Sequence, residues 1–329
     1  MFNNRVNLGF NYFTSRTSNL LSMQTIGFLS GISENWVNSG KLKNTGYNAS
    51  FVAKAIATKN WSWEIGASIG HYKNEIVELA EGRQFIDAEV YGATIRTMVG
   101  GAANLFYGYK ADGVFSTSEE AANTGLYILD ANGVDKNYFG AGDIIFRDID
   151  GNKRIDENDR MVIGDPNPDF YGNLFTSLSW KRLKLDVNFN YSVGNDVFNY
   201  MRSQLEGGCR FMNQTTALTQ RWQVEGQQTT IPKITFQDPM GNSRFSDRWI
   251  EDGSYLKLKS VTLSYNIPLK SQFIQGLQFW VQGNNLFTAT KYLGSDPECT
   301  VTSSVIGQGI DAGCIGQSRS FVAGVKINL

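Results

Sequence analysis

Histidine is almost missing from this chain: of 329 residues, only His71 carries an imidazole. That excludes metal centres built on several histidines and leaves one residue for imidazole acid–base chemistry. His71 reads more simply as the cap of a strand near a membrane rim. The three cysteines, Cys209, Cys299 and Cys314, lack metal-ligand spacing. Cys299 and Cys314 share one long connection and are placed to pair in an oxidising compartment, leaving Cys209 over; three unlinked thiols is the other reading. No glycine-rich phosphate loop follows a strand and opens a helix. Gly207-Gly208 reads as a chain breaker. Charge is scarce as well. Charged residues make up 19% of the chain, and 30 basic against 31 acidic residues leave no basic excess for a nucleic-acid partner. No apolar run approaches the ~20 residues of a membrane helix. Met1-Phe-Asn-Asn-Arg5 lacks the basic start and apolar core of an export signal. The expectation is a carboxy-terminal piece of a longer polypeptide, without a signal peptide, whose first strand begins almost at once.

What the chain does have is alternation. In Leu183–Ser192, Leu183, Leu185, Val187, Phe189 and Tyr191 fall on one face of an extended segment, and Lys184, Asp186, Asn188, Asn190 and Ser192 on the other. The same period of two recurs in seven other segments. These are Arg5 to Phe13, Tyr47 to Ala57, Trp61 to Gly70, Gly172 to Trp180, Val261 to Ile267, Leu277 to Asn284, and Ser320 to Leu329. Leu256 and Leu258 run out of phase with Val261, which predicts a bulge near Ser260. Trp61 and Trp63 beside the turn Thr58-Lys59-Asn60 read as an interfacial girdle.

The connections after the second, fourth and sixth segments are short, and those after the first, third, fifth and seventh are long. A soluble sandwich has no reason to keep that asymmetry, whereas outer-membrane barrels put short turns on the periplasmic side and long loops outside. The fold class expected is all-β: an antiparallel transmembrane β-barrel of about eight strands, either closed or an arc of a wider one. A mean hydropathy of −0.27 is no objection, because half of each barrel strand faces water. The inward positions are mainly Asn, Ser, Gly, Gln and Lys, which suit a broad wet lumen. Within the long connections, Ala103 to Lys110 and Asp143 to Phe146 are expected to lengthen the flanking strands, and Val197 to Gly207 to form a helical turn or two.

The sharpest local motif runs from Asp148 to Asp159. Asp148, Asp150, Asn152 and Asp156 stand at positions 1, 3, 5 and 9 of a twelve-residue calcium loop. Arg154 supplies a backbone carbonyl at position 7, and Asp159 a carboxylate at position 12. Ile155 is the apolar anchor. Lys153 occupies the sharp-turn position where glycine is usual, and Asp159 is shorter than the usual Glu. The competing reading is a solvated acidic turn; a bound Ca2+ would be structural. The loop aromatics Tyr107, Phe115, Tyr138, Phe146, Phe211 and Trp222 are candidates for stacking on sugars or peptide side chains, with loop packing the commoner use.

Several blocks resemble one family. They are Gly142-Asp-Ile-Ile-Phe-Arg-Asp-Ile-Asp-Gly-Asn, Ile155 to Arg160, Ile163 to Gly172, Asp247 to Pro268, Phe279 to Phe287, and Asn44-Thr-Gly-Tyr47 followed by Trp61-Ser-Trp63. Together they resemble SusC/RagA-type TonB-dependent outer-membrane transporters of Bacteroidetes. The resemblance implies a 22-stranded barrel with an amino-terminal plug, of which this sequence would be the carboxy-terminal part, without the plug. It implies energy from the TonB complex through that plug, a SusD-like surface lipoprotein as lid, and import of oligosaccharides or peptides across the outer-membrane lipid rather than catalysis. In the family a second glycine commonly stands at the Lys153 position, and Phe is usual where this chain has Leu329. Two other readings stay open. One is a self-contained eight-stranded barrel with an adhesive or structural role; the other is a secreted carbohydrate-binding β-sandwich.

Overall fold

The computed structural model describes residues 5–25, 34–38, 40–269, 273–274, 276–301 and 304–328. Its dominant feature is one eight-stranded antiparallel sheet whose strands follow one another in chain order. The strands are β1 (Val6–Ser18), β2 (Lys41–Ala57), β3 (Trp61–Glu78), β4 (Phe170–Trp180), β5 (Leu183–Val193), β6 (Tyr255–Pro268), β7 (Gly276–Thr290) and β8 (Ser320–Asn328). Each alternating segment expected above lies in this wall. Leu329 falls outside the described residues, as does most of the short apolar piece around Thr25 to Leu29.

Turn chemistry explains the tight end of the wall. At Lys181-Arg182 a left-handed residue, Lys181 with φ 53°, reverses β4 into β5, and Trp180 opposes Leu183. Residues 58–60 do the same between β2 and β3, with Thr58 N–H donating to the Trp61 carbonyl at 2.8 Å. The bulge expected near Ser260 is present. Asn188 pairs with Ser260 and Phe189 with Leu258, so Lys259 is skipped and Leu258 returns to the apolar face.

The long connections fold into a body of their own at the opposite end. Phe85–Val90, Ala93–Met98, Leu105–Tyr109 and Arg160–Gly164 make a four-stranded sheet; Ala111–Val114 pairs with Ile144–Phe146. The expectation that the pieces around Ala103 to Lys110 and Asp143 to Phe146 extend the flanking strands is therefore corrected. They are extended, but they pair with each other's neighbours rather than with the wall, because each carries enough apolar side chains for a separate core. Helix α1 (Ser118–Thr124) is capped by Thr117, whose hydroxyl accepts from the Glu120 amide, and closes on left-handed Gly125. Helix α2 (Tyr200–Glu206) occupies the expected position and stops at Gly207, with Gly208 at φ 67°.

Both apolar cores lie in this loop body. One gathers Phe115, Leu126, Phe139, Ile144, Phe146 and Ile155 from a single connection. The other joins three: Ala93, Ile95 and Phe106 from residues 79–169, Phe198 and Trp249 from 194–254, and Ile310 from 291–319. The wall has no such covered centre. Phe279, Val281, Val325 and Ile327 are 45–57% exposed on its apolar face, and Leu185 and Val187 are half-buried. A sandwich would need a second sheet over that face; among the described residues none lies there.

Candidate functional site

The two faces of the wall differ in chemistry because the pleat separates odd from even positions. On the apolar face, Trp61 stacks on Trp180 with ring centroids 5.8 Å apart at the short-turn end. About ten residues further along β3, His71 lies between Tyr47 at 5.3 Å and Phe170 at 5.5 Å. About ten residues of strand span roughly 34 Å, and a ~40° tilt reduces that to roughly 26 Å of height, close to the apolar band of an outer-membrane wall. His71 does not cap a strand end as expected; it sits within β3, and its Nδ1 meets the Asp169 carbonyl at 2.6 Å. Between the belts lie two shallow apolar hollows. One, of 420 Å³, is lined by Leu183, Leu263, Phe279 and Val325; the other, of 430 Å³, by Val261, Leu286 and Phe321.

The other face is polar and largely uncharged. Asn173 donates to Asn190 Oδ1 at 3.0 Å, Asn188 to Ser260 Oγ at 3.1 Å, and Asn284 to Ser320 Oγ at 3.1 Å. These cross-strand bonds hold the amides in fixed orientations. Aromatic rings lie over glycines on this face. A Cβ on Gly66 would meet Phe175 Cε1 at 2.1 Å, and one on Gly70 would meet the Tyr171 ring at 2.7 Å. Asn11, Asn48, Ser50, Ser68, Tyr171 and Asn173 border a hollow of 370 Å³ there. Paired amide donors and acceptors beside an aromatic ring suit a neutral polar ligand, sugar or peptide backbone alike.

Where this face meets the loop body, a buried cation anchors the last connection. Lys257 is 1% exposed, and its ammonium donates to Asp296 Oδ1 at 2.9 Å, to Asp296 Oδ2 at 3.1 Å and to Glu298. Burial pushes the Asp296 carboxyl up, but hydrogen bonds from Lys257 and from the Glu298 and Gln317 amides outweigh it and leave the group below the ordinary carboxylate range. Nothing in the alternation marked Lys257 as special, since its partners lie some forty residues on. Arg248 was equally hidden. Its Nη1 and Nη2 are buried without a hydrogen-bond partner among the described residues, and the guanidinium lies over the Trp249 ring at 4.3 Å. Burial and neighbouring Arg202 bring it down to about 10.

The acidic loop is drawn together in part. Carboxylate oxygens of Asp148, Asp150 and Asp159 all lie within 4.8 Å of one another. Asn152 is turned to Asp150, donating to Oδ2 at 2.7 Å, and Arg154 forms an ion pair with Asp156 at 3.2 Å. Lys153 adopts φ 64°, the left-handed turn that the sixth position demands, despite not being glycine. Ile155 is 4% exposed in the first core, as an anchor should be. Asp159 is buried and accepts from the Ile149 and Asp156 amides at 2.8 and 2.9 Å, so part of the loop's order is independent of any ion.

The loop aromatics separate clearly. Phe115 and Phe146 are core residues, Tyr107 lies under Arg96 at 3.5 Å, and Trp222 donates to the Ser116 carbonyl at 3.1 Å. Tyr138 and Phe211 remain open, and Phe211, 92% exposed, lies tilted against Phe236 with centroids 4.7 Å apart. Cys299 and Cys314 come together as expected, but in this structure all three cysteines are free thiols.

No family model matches the chain. Among characterised proteins it is similar to TonB-dependent receptor P3 of Formosa agariphila, 31% identical over 99% of this chain and 33% of that receptor. It is also similar to TonB-dependent receptor SusC of Bacteroides thetaiotaomicron, 25% identical over 99% of this chain and 30% of SusC. Among solved structures it matches the RagAB peptide importer in its closed-closed state, with a TM-score of 0.77 and 25% identity over 99% of this chain and 34% of that one. The chain thus spans about a third of each relative, and those relatives are receptors and transporters rather than enzymes. Over nearly its whole length the chain is similar to TonB-dependent receptors of the SusC/RagA type.

Proposed function

We propose that this chain is the carboxy-terminal part of the barrel of a TonB-dependent importer, seated in the outer membrane and taking up oligosaccharides or peptides. The observation that carries the reading is the two-faced wall, with apolar side chains exposed between two aromatic belts on one side and fixed amides and hydroxyls on the other. Lipid is the environment that makes the first face stable, since exposed apolar area of this extent in water costs roughly 25 cal/mol per Å². In lipid, every backbone amide must be paired within the protein, so the wall's outer strands require further strands of the parent protein to close a wider barrel of the 22-stranded kind. The similarity to SusC and to the RagAB importer supports a surface lipoprotein of the SusD type as the lid over the loop body. It supports a plug, supplied by the rest of the parent protein, as the point of TonB action. Fractionation tests the location: the parent protein is expected in the outer membrane, extractable by detergent alone. Recovery from the soluble periplasm would refute the reading.

The acidic loop fits a structural Ca2+ better than a catalytic one. Two oxygens on opposite sides of a Ca2+ at about 2.4 Å are about 4.8 Å apart, the spacing within which Asp148, Asp150 and Asp159 already hold theirs. Asn152, the Arg154 carbonyl and Asp156 would complete the shell. Calcium added to chelator-treated protein is expected to raise the melting temperature of the native chain, and not of the Asp148→Asn, Asp150→Asn double variant. Equal responses would leave the loop a solvated acidic turn.

A further inference from the structure

The last long connection, residues 291–319, carries a feature that neither the polar wall nor the calcium loop uses. Cys299 Sγ, Cys314 Sγ and an Asp311 carboxylate oxygen all lie within 4.8 Å of one another. Each cysteine is placed by contacts that do not involve its sulfur. Cys299 N–H donates to the Asp296 carbonyl at 3.1 Å, and Asp296 is held by Lys257 and by the Gln317 amide at 3.2 Å. Cys314 N–H donates to Asp311 Oδ1 at 2.9 Å, and its carbonyl accepts from Ser295 Oγ at 2.7 Å. Asp311, 3% exposed, is itself fixed by the Tyr292 hydroxyl at 2.7 Å and by the pairing of Ile310–Asp311 with Phe198 and Asn199. The meeting of the two sulfurs therefore rests on backbone contacts, and a bond requires them to close from within 4.8 Å to about 2.05 Å.

We propose that Cys299 and Cys314 are joined by a disulfide in the mature protein, stapling the outer connection between β7 and β8. A metal is the other use of such a group, and the surroundings disfavour it. Asp311 Oδ1 already accepts from the Gly313 and Cys314 amides, each at 2.9 Å, and Oδ2 from Tyr292. Two thiols then remain, where a structural zinc takes four ligands. Burial, and next the neighbouring Cys314, push the Cys299 thiol up to about 12. The oxidant is a protein disulfide of the thiol-exchange class. The Cys314 thiolate attacks it, displaces one donor thiolate and forms a mixed disulfide. Cys299 then loses its proton, attacks the Cys314 sulfur and releases the second donor thiolate. The donor ends as a dithiol carrying the two protons that the chain gives up.

The proposal rests on the outer-membrane reading for its oxidising compartment, and the experiment separates the two. Trypsin cleaves after Lys291 and Arg319 and releases both cysteines in one fragment, Tyr292 to Arg319. In parent protein isolated from cells, denatured with an alkylating reagent and no reductant, that fragment is expected to be two hydrogens lighter than the dithiol form. It should be alkylated only after reduction, whereas Cys209 is alkylated at once. Alkylation of Cys299 and Cys314 without reductant overturns the proposal. So does native protection that a chelator, rather than a reductant, removes. In a second arm, reduced purified protein receives glutathione disulfide. Closure of the Cys299–Cys314 bond is expected, with glutathione retained on Cys209 alone. Glutathione retained on Cys299 or Cys314 overturns the juxtaposition itself. Closure in this arm with free thiols in the cell-derived protein overturns the proposal through its compartment, not its geometry.

Discussion

Replacing Lys257 with methionine keeps the length of the side chain and removes its charge. The side chains of Lys257 and Asp296 are 2% and 8% exposed, and that of Glu298 21%, so two carboxylates are left facing each other in a site with little water. Removing one partner of a buried ion pair costs about 3–5 kcal/mol, because the remaining charge is uncompensated. The structure localises that cost. Asp296 accepts from the Gln317 amide and, through its backbone, from the Cys299 amide, so the destabilised unit is the connection 291–319 rather than the wall. At about 1.4 kcal/mol per factor of ten, hydrogen exchange at the Glu298, Cys299 and Gln317 amides should quicken by about two orders of magnitude or more. Amides of β3 serve as the internal control and should not change. The triple variant Lys257→Met, Asp296→Asn, Glu298→Gln removes every charge of the cluster and should recover most of the protection. Native-like exchange in Lys257→Met alone, or a triple variant that exchanges as fast as the single one, would refute the reasoning.

Neighbouring residues on β7 test the two faces against each other. Val281→Arg places a cation on the apolar face and should cost about 2–4 kcal/mol if that face meets lipid near the bilayer midplane. Gln282→Arg, one residue on, faces the wet side and should cost far less; the yield of membrane-assembled protein reports the difference, and equal yields would count against the assignment of faces. Gly66→Ala drives a methyl into the Phe175 ring and is expected to destabilise the wall by about 1–3 kcal/mol. Adding Phe175→Ala should relieve part of that loss in a melting experiment, and strictly additive losses would show that the contact is not the cause.

The wall was legible because its code is local. Leu183 to Tyr191 show the period of two without reference to any other segment, and the phase slip at Leu256 and Leu258 gave away the bulge that the pairing of Asn188 with Ser260 displays. The turns were legible for the same reason. The loop body was not, because its partners are remote in sequence: Ile310, Phe198 and Phe106 have no periodic relation, and their meeting depends on strand pairing elsewhere. For the same reason the sequence did not separate Phe115 and Phe146, which are core as loop packing would have it, from Phe211, which stands open. The acidic loop lay between these cases. Its spacing foretold the convergence of Asp148, Asp150 and Asp159. It did not foretell that Asn152 and Asp156 would turn to local partners, with Asn152 donating to Asp150 and Asp156 accepting from the Asn158 amide at 2.8 Å.

The second apolar core has a consequence for how the outer end of the molecule responds to touch. Because Phe106, Trp249 and Ile310 share one packed interior, the three excursions that supply them cannot be displaced one at a time. A push on any one is resisted by all three and handed to the strands on which they are rooted, so this end of the wall behaves as a single lever and not as a fringe of independent fingers.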